Sequence, residues 1–269
     1  MGERFDATTY GRSFADVYDD WYPSDAATDD AVVLLDGLLR GDGTRTGPAR
    51  ALELGIGTGR LALPLAALGH DVVGVDASQE MLTSLRDKLR AGADAPSPGS
   101  VEAVLGDVAD TRTWPDGPVE LVLAAFNMVF NLTDADAQAS LFDAAFAALS
   151  PGGVFVVECF VPAPLEVTER LLELRSVDVE RVVLIATESD PATSTVTGQH
   201  IELRDGEPVR LRPWRIRVVE PAQLDAWATA AGFEPAERSS DWRGSAFDAD
   251  SASHVSVYRR PDSRTARDG

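Results

Sequence analysis

The chain has 269 residues, of which 44% are hydrophobic and 25% are charged, a composition typical of a globular protein. Forty-four acidic residues against 24 basic ones give a net charge of −20, and no segment concentrates basic residues. A field of that sign repels polyanions, so the sequence argues against nucleic acid and anionic membranes as partners. The single cysteine, Cys159, excludes an internal disulfide bond and a cysteine-ligated metal site.

The first residues do not form a charged segment followed by an apolar one. No apolar run reaches the roughly 18 residues that a membrane-spanning helix needs. Both observations favour a cytoplasmic protein without a membrane span.

Residues 1–45 are predicted to form a helical lid at the N-terminus. Large apolar side chains recur there at helical spacing, at Tyr10, Phe14, Val17, Tyr18 and Trp21. This spacing would place them on one face of a helix. A second helical pattern covers residues 26–39 and ends at the breaker Gly41-Asp42-Gly43.

Residues 46–164 alternate between short apolar runs and helical patterns. The apolar runs predict five strands, at 50–54, 71–76, 101–105, 119–125 and 154–160. Helices are predicted between them, including one over 78–89 that Ser78 would cap and one over 134–149. Strands that alternate with helices in this way are typical of a doubly wound α/β sheet.

The sequence pattern of residues 165–218 differs from that of the core, because it holds short alternating segments that predict an antiparallel accessory sheet. A helix is expected over 165–174, followed by strands at 181–187, 195–203 and 209–218, with a hairpin turn at Asp205-Gly206. Residues 219–260 are expected to complete the core with a helix over 221–232 and a last strand over 254–259. Residues 261–269 are predicted to be a disordered tail.

The most informative segment is Glu53-Leu54-Gly55-Ile56-Gly57-Thr58-Gly59-Arg60, which follows a predicted strand and opens a helix. Glycines at alternate positions let the backbone turn tightly and approach a ligand closely. Asp76 ends the next strand, where a carboxylate can accept both hydroxyls of a ribose. The dinucleotide fingerprint requires a third glycine where Arg60 stands, and the phosphate-binding P-loop requires a lysine that this segment lacks.

This segment resembles the first motif of the class I S-adenosylmethionine-dependent methyltransferases, Glu/Asp-x-Gly-x-Gly-x-Gly. The resemblance continues through residues 72–81, Gly106-Asp107-Val108, the strand and loop over 121–132, and the Pro-Gly-Gly turn within 149–154. It implies a Rossmann-like α/β fold with a doubly wound, mostly parallel seven-stranded sheet whose last strand is antiparallel. It also implies S-adenosylmethionine as the cofactor.

The resemblance further implies which residues bind the cofactor. Asp76 would hold the ribose hydroxyls, Asp107 would bond the adenine amino group, and Val108 and Met81 would lie near the adenine ring. The full set of expected cofactor residues is Glu53, Gly55, Gly57, Gly59, Asp76, Ala77, Met81, Gly106, Asp107 and Val108. No metal site is expected.

The loop after the fourth strand reads Ala125-Phe126-Asn127-Met128-Val129 and lacks the Asn-Pro-Pro-Tyr pattern of nucleic-acid base methylases. With the acidic charge, this favours a small-molecule substrate. Residues 14–20 resemble the lid helix of small-molecule N-methyltransferases of the amino-sugar and lincosamide antibiotic type. That resemblance implies catalytic roles for Tyr18, Tyr10 and Phe126, whose aromatic faces can stabilise positive charge.

In one position the sequence departs from the amino-sugar enzymes, because Asn131 stands roughly where they carry a histidine. His200, Trp214 and Arg217 on the predicted accessory sheet are the candidate substrate-binding residues, and His200 is also a candidate base. An O-methyltransferase of a small natural product is the alternative reading, since an alcohol needs a base. A non-catalytic cofactor-binding or scaffold protein is a more remote alternative. The chain is also a candidate for a homo-oligomer.

Overall fold

The computed structural model describes residues 5–41, 47–92 and 97–262. The predicted breaker residues Asp42 and Gly43, and residues 263–269 of the predicted tail, lie outside these ranges. In chain order the elements are α1 (Thr9–Phe14), α2 (Tyr18–Trp21), α3 (Ala26–Arg40), β1 (Arg50–Leu54), α4 (Ala62–Ala67), β2 (Asp71–Asp76), α5 (Gln79–Ala91), β3 (Ser100–Leu105), β4 (Val119–Ala124), α6 (Met128–Asn131), α7 (Ala135–Ala148), β5 (Leu149–Phe160), β6 (Arg170–Val177), β7 (Arg181–Asp190), β8 (Thr195–Arg204), β9 (Arg210–Arg217), α8 (Pro221–Ala231), β10 (Glu234–Ser239) and β11 (Ser253–Arg259).

The core is a seven-stranded sheet in the order β10-β11-β5-β4-β1-β2-β3. Strands β1 to β5 pair in parallel, whereas β11 runs antiparallel to both of its neighbours, β5 and β10. The expected α/β fold with one reversed strand is therefore confirmed. The carboxyl ends of β1, β2 and β4 meet at one edge, which is where open parallel sheets bind ligands.

Two hydrophobic clusters lie on the two faces of this sheet. Leu54 of β1 packs with Phe142 of α7 in one cluster, and Leu123 of β4 packs with Leu35 of α3 in the other. Successive strand residues point to opposite faces, so strands covered on both sides need nearly continuous apolar sequence. Burial of each such side chain stabilises the fold by about 1.5–3 kcal/mol.

Strand β10 has no counterpart among the predicted elements. Its sequence, Glu-Pro-Ala-Glu-Arg-Ser, contains no large apolar residue, and four of its six residues are exposed. It lies at the edge of the sheet and pairs only with β11 among the described strands. Proline and charged residues are common on such edges because they discourage pairing with other chains.

The accessory sheet has four antiparallel strands in the order β6-β7-β8-β9. The helix predicted over 165–174 is wrong, because strand β6 begins at Arg170 and pairs with β7 from Arg170 opposite Glu188 to Val177 opposite Val182. The backbone hydrogen bonds that β7 offers outweigh the helical propensity of the leucines in this segment.

The N-terminal segment forms two short helices, α1 and α2, in place of the single helical face that the spacing suggests. Phe14 is fully buried and packs with Val17 and Met81. Helix α3 then begins with a capping box, in which Asp25 accepts a hydrogen bond from the backbone N–H of Thr28. Tyr10 of α1 and Tyr18 of α2 line the same cavity as Gly55 and Asp76, which lie at the ends of β1 and β2.

A buried ion pair attaches α1 to the accessory sheet. Arg212 of β9 is 4% exposed and donates through Nη2 to Glu202 of β8 at 2.8 Å and to Asp16 at 3.0 Å. Its Nη1 also donates to the carbonyl of Ser13. One guanidinium therefore joins the segment that follows α1 to two strands of the insert.

No helix in the described ranges is both long and apolar enough to cross a lipid bilayer.

Candidate active site

The loop after β1 is held against the end of β2. The backbone N–H of Gly55 donates to the carbonyl of Val75 at 2.8 Å, and the N–H of Gly57 donates to the Asp76 carboxylate at 2.9 Å. Gly55 and Gly57 have φ values of +73° and +55°, a conformation that favours glycine. The second Asp76 oxygen accepts from the N–H of Ser78 at 2.8 Å. Asp76 is thereby fixed in orientation at the end of its strand.

A cavity of about 450 Å³ opens beside this loop, between the lid, the carboxyl edge of the sheet and the accessory sheet. The structure brings twelve of the predicted site residues to its wall: Tyr10, Tyr18, Gly55, Gly57, Asp76, Ala77, Met81, Asp107, Val108, Phe126, His200 and Trp214. Residues from three separate parts of the chain therefore converge on one space.

Four predicted residues do not line this cavity. Two of them allow close packing, and a third makes a hydrogen bond elsewhere. A Cβ at Gly59 would lie 2.5 Å from Leu85, and one at Gly106 would lie 2.4 Å from Thr113, so both glycines allow close packing. The Arg217 guanidinium donates to the buried Gln138 at 2.5 Å. Arg215 lines the cavity in its place.

Glu53, the fourth residue, is buried behind the glycine loop. Its side chain is 6% exposed, and its Oε2 has no hydrogen-bond partner within the described ranges. Burial raises the pKa of this carboxyl to about 8, against the opposing influence of Arg60. An unpaired buried carboxyl of this kind suits a cationic ligand, which would favour its ionised form.

Glu53→Gln should flatten the pH dependence of the stability of the ligand-free protein. The carboxyl has an ordinary pKa of 4.5 and a folded-state pKa of about 8, so between these values the folded chain holds a proton that the unfolded chain releases. The free energy of unfolding then falls as pH rises through this window, by at most about 1.4 kcal/mol per unit.

Urea denaturation between about pH 5 and pH 8 measures this slope. The matched control is Glu102→Gln, an exposed position on β3, which removes a surface carboxylate and should keep the wild-type slope. Equal slopes for wild type and Glu53→Gln would contradict the raised pKa.

Aromatic rings form part of the cavity wall. The Phe126 ring lies edge-on to Tyr18 and Tyr22, at centroid distances of 6.4 and 5.1 Å, and the Arg60 guanidinium lies 4.6 Å from its centroid. Burial raises the pKa of Tyr18 and Tyr10 well above the ordinary value. Both phenols therefore keep their protons at neutral pH and present hydroxyl groups and neutral aromatic faces.

The Phe126-Asn127 turn is strained and is held by a residue that sequence analysis did not identify. Phe126 and Asn127 have φ values of +53° and +62°, a left-handed conformation that is unfavourable for Phe and better tolerated by Asn. The Glu158 carboxylate accepts from the Phe126 N–H at 2.7 Å and from the Trp242 indole N–H at 2.8 Å. Glu158 thereby orients the aromatic wall.

Further cavity residues were also missed, including Tyr22, Asn127 and Arg215. The cluster of aromatic residues around Tyr18 is a signal that could have identified Tyr22. Asn131, noted as the position of a missing histidine, does line the cavity. No comparable signal exists for Glu158, whose role depends on a contact across 32 positions of sequence.

His200 lies on the accessory-sheet side of the cavity. Its Nδ1 accepts a hydrogen bond from the Trp214 indole N–H at 3.1 Å. Burial, together with the positive charges of Arg175 and Arg212, lowers the pKa of the imidazole to about 4. His200 is therefore neutral at physiological pH.

Comparison with known proteins identifies the family. Residues 51–153 match the family described as "Methyltransferase domain". The CcbJ methyltransferase from Streptomyces caelestis is 38% identical, with a TM-score of 0.84, and the match covers 96% of this chain and all of that one. This chain belongs to the S-adenosylmethionine-dependent methyltransferases. S-adenosylmethionine is accordingly the cofactor of this methyltransferase.

Two further relatives extend the comparison. The cypemycin N-terminal methyltransferase of a Streptomyces species is 34% identical over 115 residues, which is 43% of this chain and 43% of that protein. The alignment thus spans less than half of that relative's length. The SAM-bound amino pentose methyltransferase CalS10 from Micromonospora echinaspora has the same fold as this chain. The two are 20% identical with a TM-score of 0.63, and the match covers 97% of this chain and 100% of CalS10.

Proposed function

We propose that this methyltransferase transfers a methyl group to an amine nitrogen of a small molecule in natural-product biosynthesis. The observation that carries the proposal is the aromatic wall of Tyr10, Tyr18 and Phe126 on a cavity whose histidine is neutral. Aromatic faces stabilise positive charge, which develops on a nitrogen as it is methylated. Kinship with the cypemycin N-terminal methyltransferase supports the same reading.

The residues present fit S-adenosylmethionine. In the proposal, the fixed carboxylate of Asp76 accepts the ribose hydroxyls, and Asp107 bonds the adenine amino group while Met81 and Val108 contact its ring. The cationic end of the cofactor would favour the ionised form of the Glu53 carboxyl behind the loop, whose Oε2 has no partner within the described ranges. When bound, the cofactor supplies an electrophilic methyl group on a sulfonium.

The protein's own contribution in this proposal is binding, orientation and exclusion of water. The lid residues close the cavity from one side, and Glu158 holds Phe126 against Tyr18 and Tyr22. An amine that reaches the site in its neutral form has a free lone pair and needs no strong base. A positioned nucleophile in a dry cavity then gains most of its advantage from proximity.

Methyl transfer from labelled cofactor to a panel of small amines and alcohols tests the proposal. With an amine substrate, kcat/KM should rise with pH as the substrate loses its proton, reach half its maximum at the pKa of the amine, and level off above it. Changing to a less basic amine should move the profile to lower pH by the difference between the pKa values of the two amines. A profile that follows an enzyme group whatever the substrate, with transfer to alcohols only, would instead identify an O-methyltransferase.

Substitutions in the aromatic wall give a second test. Phe126→Leu and Tyr18→Leu should each lower turnover by about 2- to 30-fold, because loss of a π face removes about 0.5–2 kcal/mol of transition-state stabilisation. Affinity for the cofactor product S-adenosylhomocysteine, measured by calorimetry, should change much less. Tyr18→Phe is the matched control that keeps the face, and it should lose less turnover than Tyr18→Leu. Unchanged turnover in both leucine variants would contradict a role for the aromatic wall.

A further inference from the structure

The accessory sheet carries its polar and apolar residues on the reverse of the usual faces. Side chains alternate between the two faces along a strand, and residues paired across strands share a face. The face toward the lid holds the buried polar residues His200, Glu202 and Arg212. An antiparallel sheet with one solvated face normally turns its apolar residues inward and its polar residues outward. Here the apolar residues lie on the outer face, which points away from the lid.

The outer face consists of cross-strand rows of apolar residues. The register places one row across all four strands, formed by Leu174, Leu184, Ile201 and Leu211. The rows on either side of it begin with Leu172 and Val177 of β6, and no charged side chain occupies any of the three rows. Leu172, Leu174, Val177 and Leu211 are nevertheless between 60% and 65% exposed. A sheet face of this composition is typical of one that packs against a second layer.

We propose that a second copy of this chain covers the outer face, so that two accessory sheets pack face to face in a dimer. Sheets packed in this way lie about 10 Å apart and need apolar side chains on both inner faces. A twofold axis presents the same uncharged rows from both copies, so the contact buries no charge. The dimer does not depend on which atom the enzyme methylates.

The size of the outer face suits such an interface. The four strands contain 8 to 10 residues each. At a strand spacing of about 4.8 Å and a rise of about 3.3 Å per residue, the face covers roughly 500 Å². Two copies would together bury about 1,000 Å², which reaches the lower limit for a specific interface. Few monomeric proteins expose a larger contiguous apolar patch than this one.

The charges around the outer face also suit a contact between identical copies. At one end of the rows, Arg170 of β6 pairs with Glu188 of β7 at 2.7 Å, and both side chains are more than half exposed. Because both signs occur on the same rim, a twofold partner can bring opposite charges together there. The net charge of −20 makes two copies repel each other at long range. The attraction must therefore come from the apolar rows, and salt should strengthen the dimer by screening the repulsion.

Light scattering after gel filtration tests the proposal. Wild-type protein at micromolar concentration should have twice the chain mass of 28.7 kDa. Leu174→Arg and Leu211→Arg each place a charge in the central row and should reduce the mass to that of one chain. Two controls should stay dimeric: Leu174→Met, which keeps the row apolar, and Val33→Arg, which changes a residue on α3 that is 73% exposed.

The two arginine variants also distinguish face packing from edge pairing. Leu174 and Leu211 lie on β6 and β9, the opposite edge strands of the accessory sheet. If two copies instead joined edge to edge through one of these strands, the variant on the other strand would stay dimeric, which would contradict the proposal. Circular dichroism and binding of S-adenosylhomocysteine should match wild type in both variants, because both positions are exposed and neither lines the cavity.

Salt provides a measurement on the unaltered protein. In about 1 M sodium chloride, where the Debye length is about 3 Å, the wild-type dimer should dissociate less on dilution than at low salt. A wild-type mass of one chain, a dimer that salt dissociates, or an arginine variant with unchanged mass would overturn the proposal. Absence of methyl transfer to amines would contradict the proposed function alone, because none of these measurements involves turnover.

Discussion

Asp76→Ala is expected to weaken the binding of S-adenosylmethionine at least tenfold. In the proposed role, each ribose hydroxyl donates to a charged acceptor, and such bonds contribute about 1.5–3 kcal/mol each. The variant also loses the bond at 2.9 Å that fixes the Gly57 N–H, so the glycine loop is less well ordered for binding. Calorimetry should show affinity in the micromolar range for wild-type protein, about −8 kcal/mol.

Two variants make this expectation specific. Asp71 lies at the opposite end of the same strand, where its carboxylate accepts a hydrogen bond from the Ser100 hydroxyl. The Asp71→Ala variant should therefore bind the cofactor like wild type. Asp76→Asn keeps an acceptor oxygen and should fall between wild type and Asp76→Ala. A folded Asp76→Ala protein with unchanged affinity would show that this carboxylate does not hold the cofactor. Binding of NAD in place of S-adenosylmethionine and S-adenosylhomocysteine would overturn the cofactor assignment.

Arg212→Met is expected to destabilise the protein by about 3–5 kcal/mol, the range for removing one partner of a buried ion pair. The side chains of Arg212 and Glu202 are each 5% exposed, so the substitution leaves a buried carboxylate whose remaining cationic contact among the described residues is Arg204 at 3.5 Å. It also releases Asp16 and the Ser13 carbonyl. Urea denaturation measures the change as a lower midpoint.

Arg210→Met is the matched control. Arg210 lies two residues earlier on β9 and pairs with the same Asp16 at 2.7 Å, but its side chain is 58% exposed. Exposed pairs contribute about 0–1 kcal/mol, so this variant should remain close to wild type. The double variant Arg212→Met/Glu202→Leu should recover much of the loss, because no charge stays buried. Similar losses for Arg210→Met and Arg212→Met would contradict the importance of burial.

The core fold and the cofactor loop could be predicted from sequence because their determinants are local. Strands β1 and β2 begin and end at the predicted residues, and Ser78 caps α5 as expected. Both rest on patterns within a few positions, namely continuous apolar runs and a hydroxyl one residue before a helix. Gly55 and Gly57 likewise adopt the conformation that their spacing requires.

Edge strands were harder to predict, because contacts with a neighbouring strand decide them. Strand β10 has no apolar pattern of its own, and β6 has leucines that suit a helix equally well. Each becomes a strand because a neighbour, β11 or β7, offers its backbone hydrogen bonds. Local propensity is too weak to decide against such pairing.

By itself, the sequence determined the fold class, the family and the residues that end β1 and β2. Only the tertiary structure decided which side chains share the cavity and in which chemical state. Glu158 accepts from the Phe126 N–H across 32 positions of sequence. The Arg217 guanidinium donates to Gln138 across 79 positions and does not line the cavity. The Trp214 indole N–H donates to Nδ1 of His200 from the neighbouring strand. Burial, charge and hydrogen bonding at these residues depend on groups that only the folded chain brings together, so no local pattern records them.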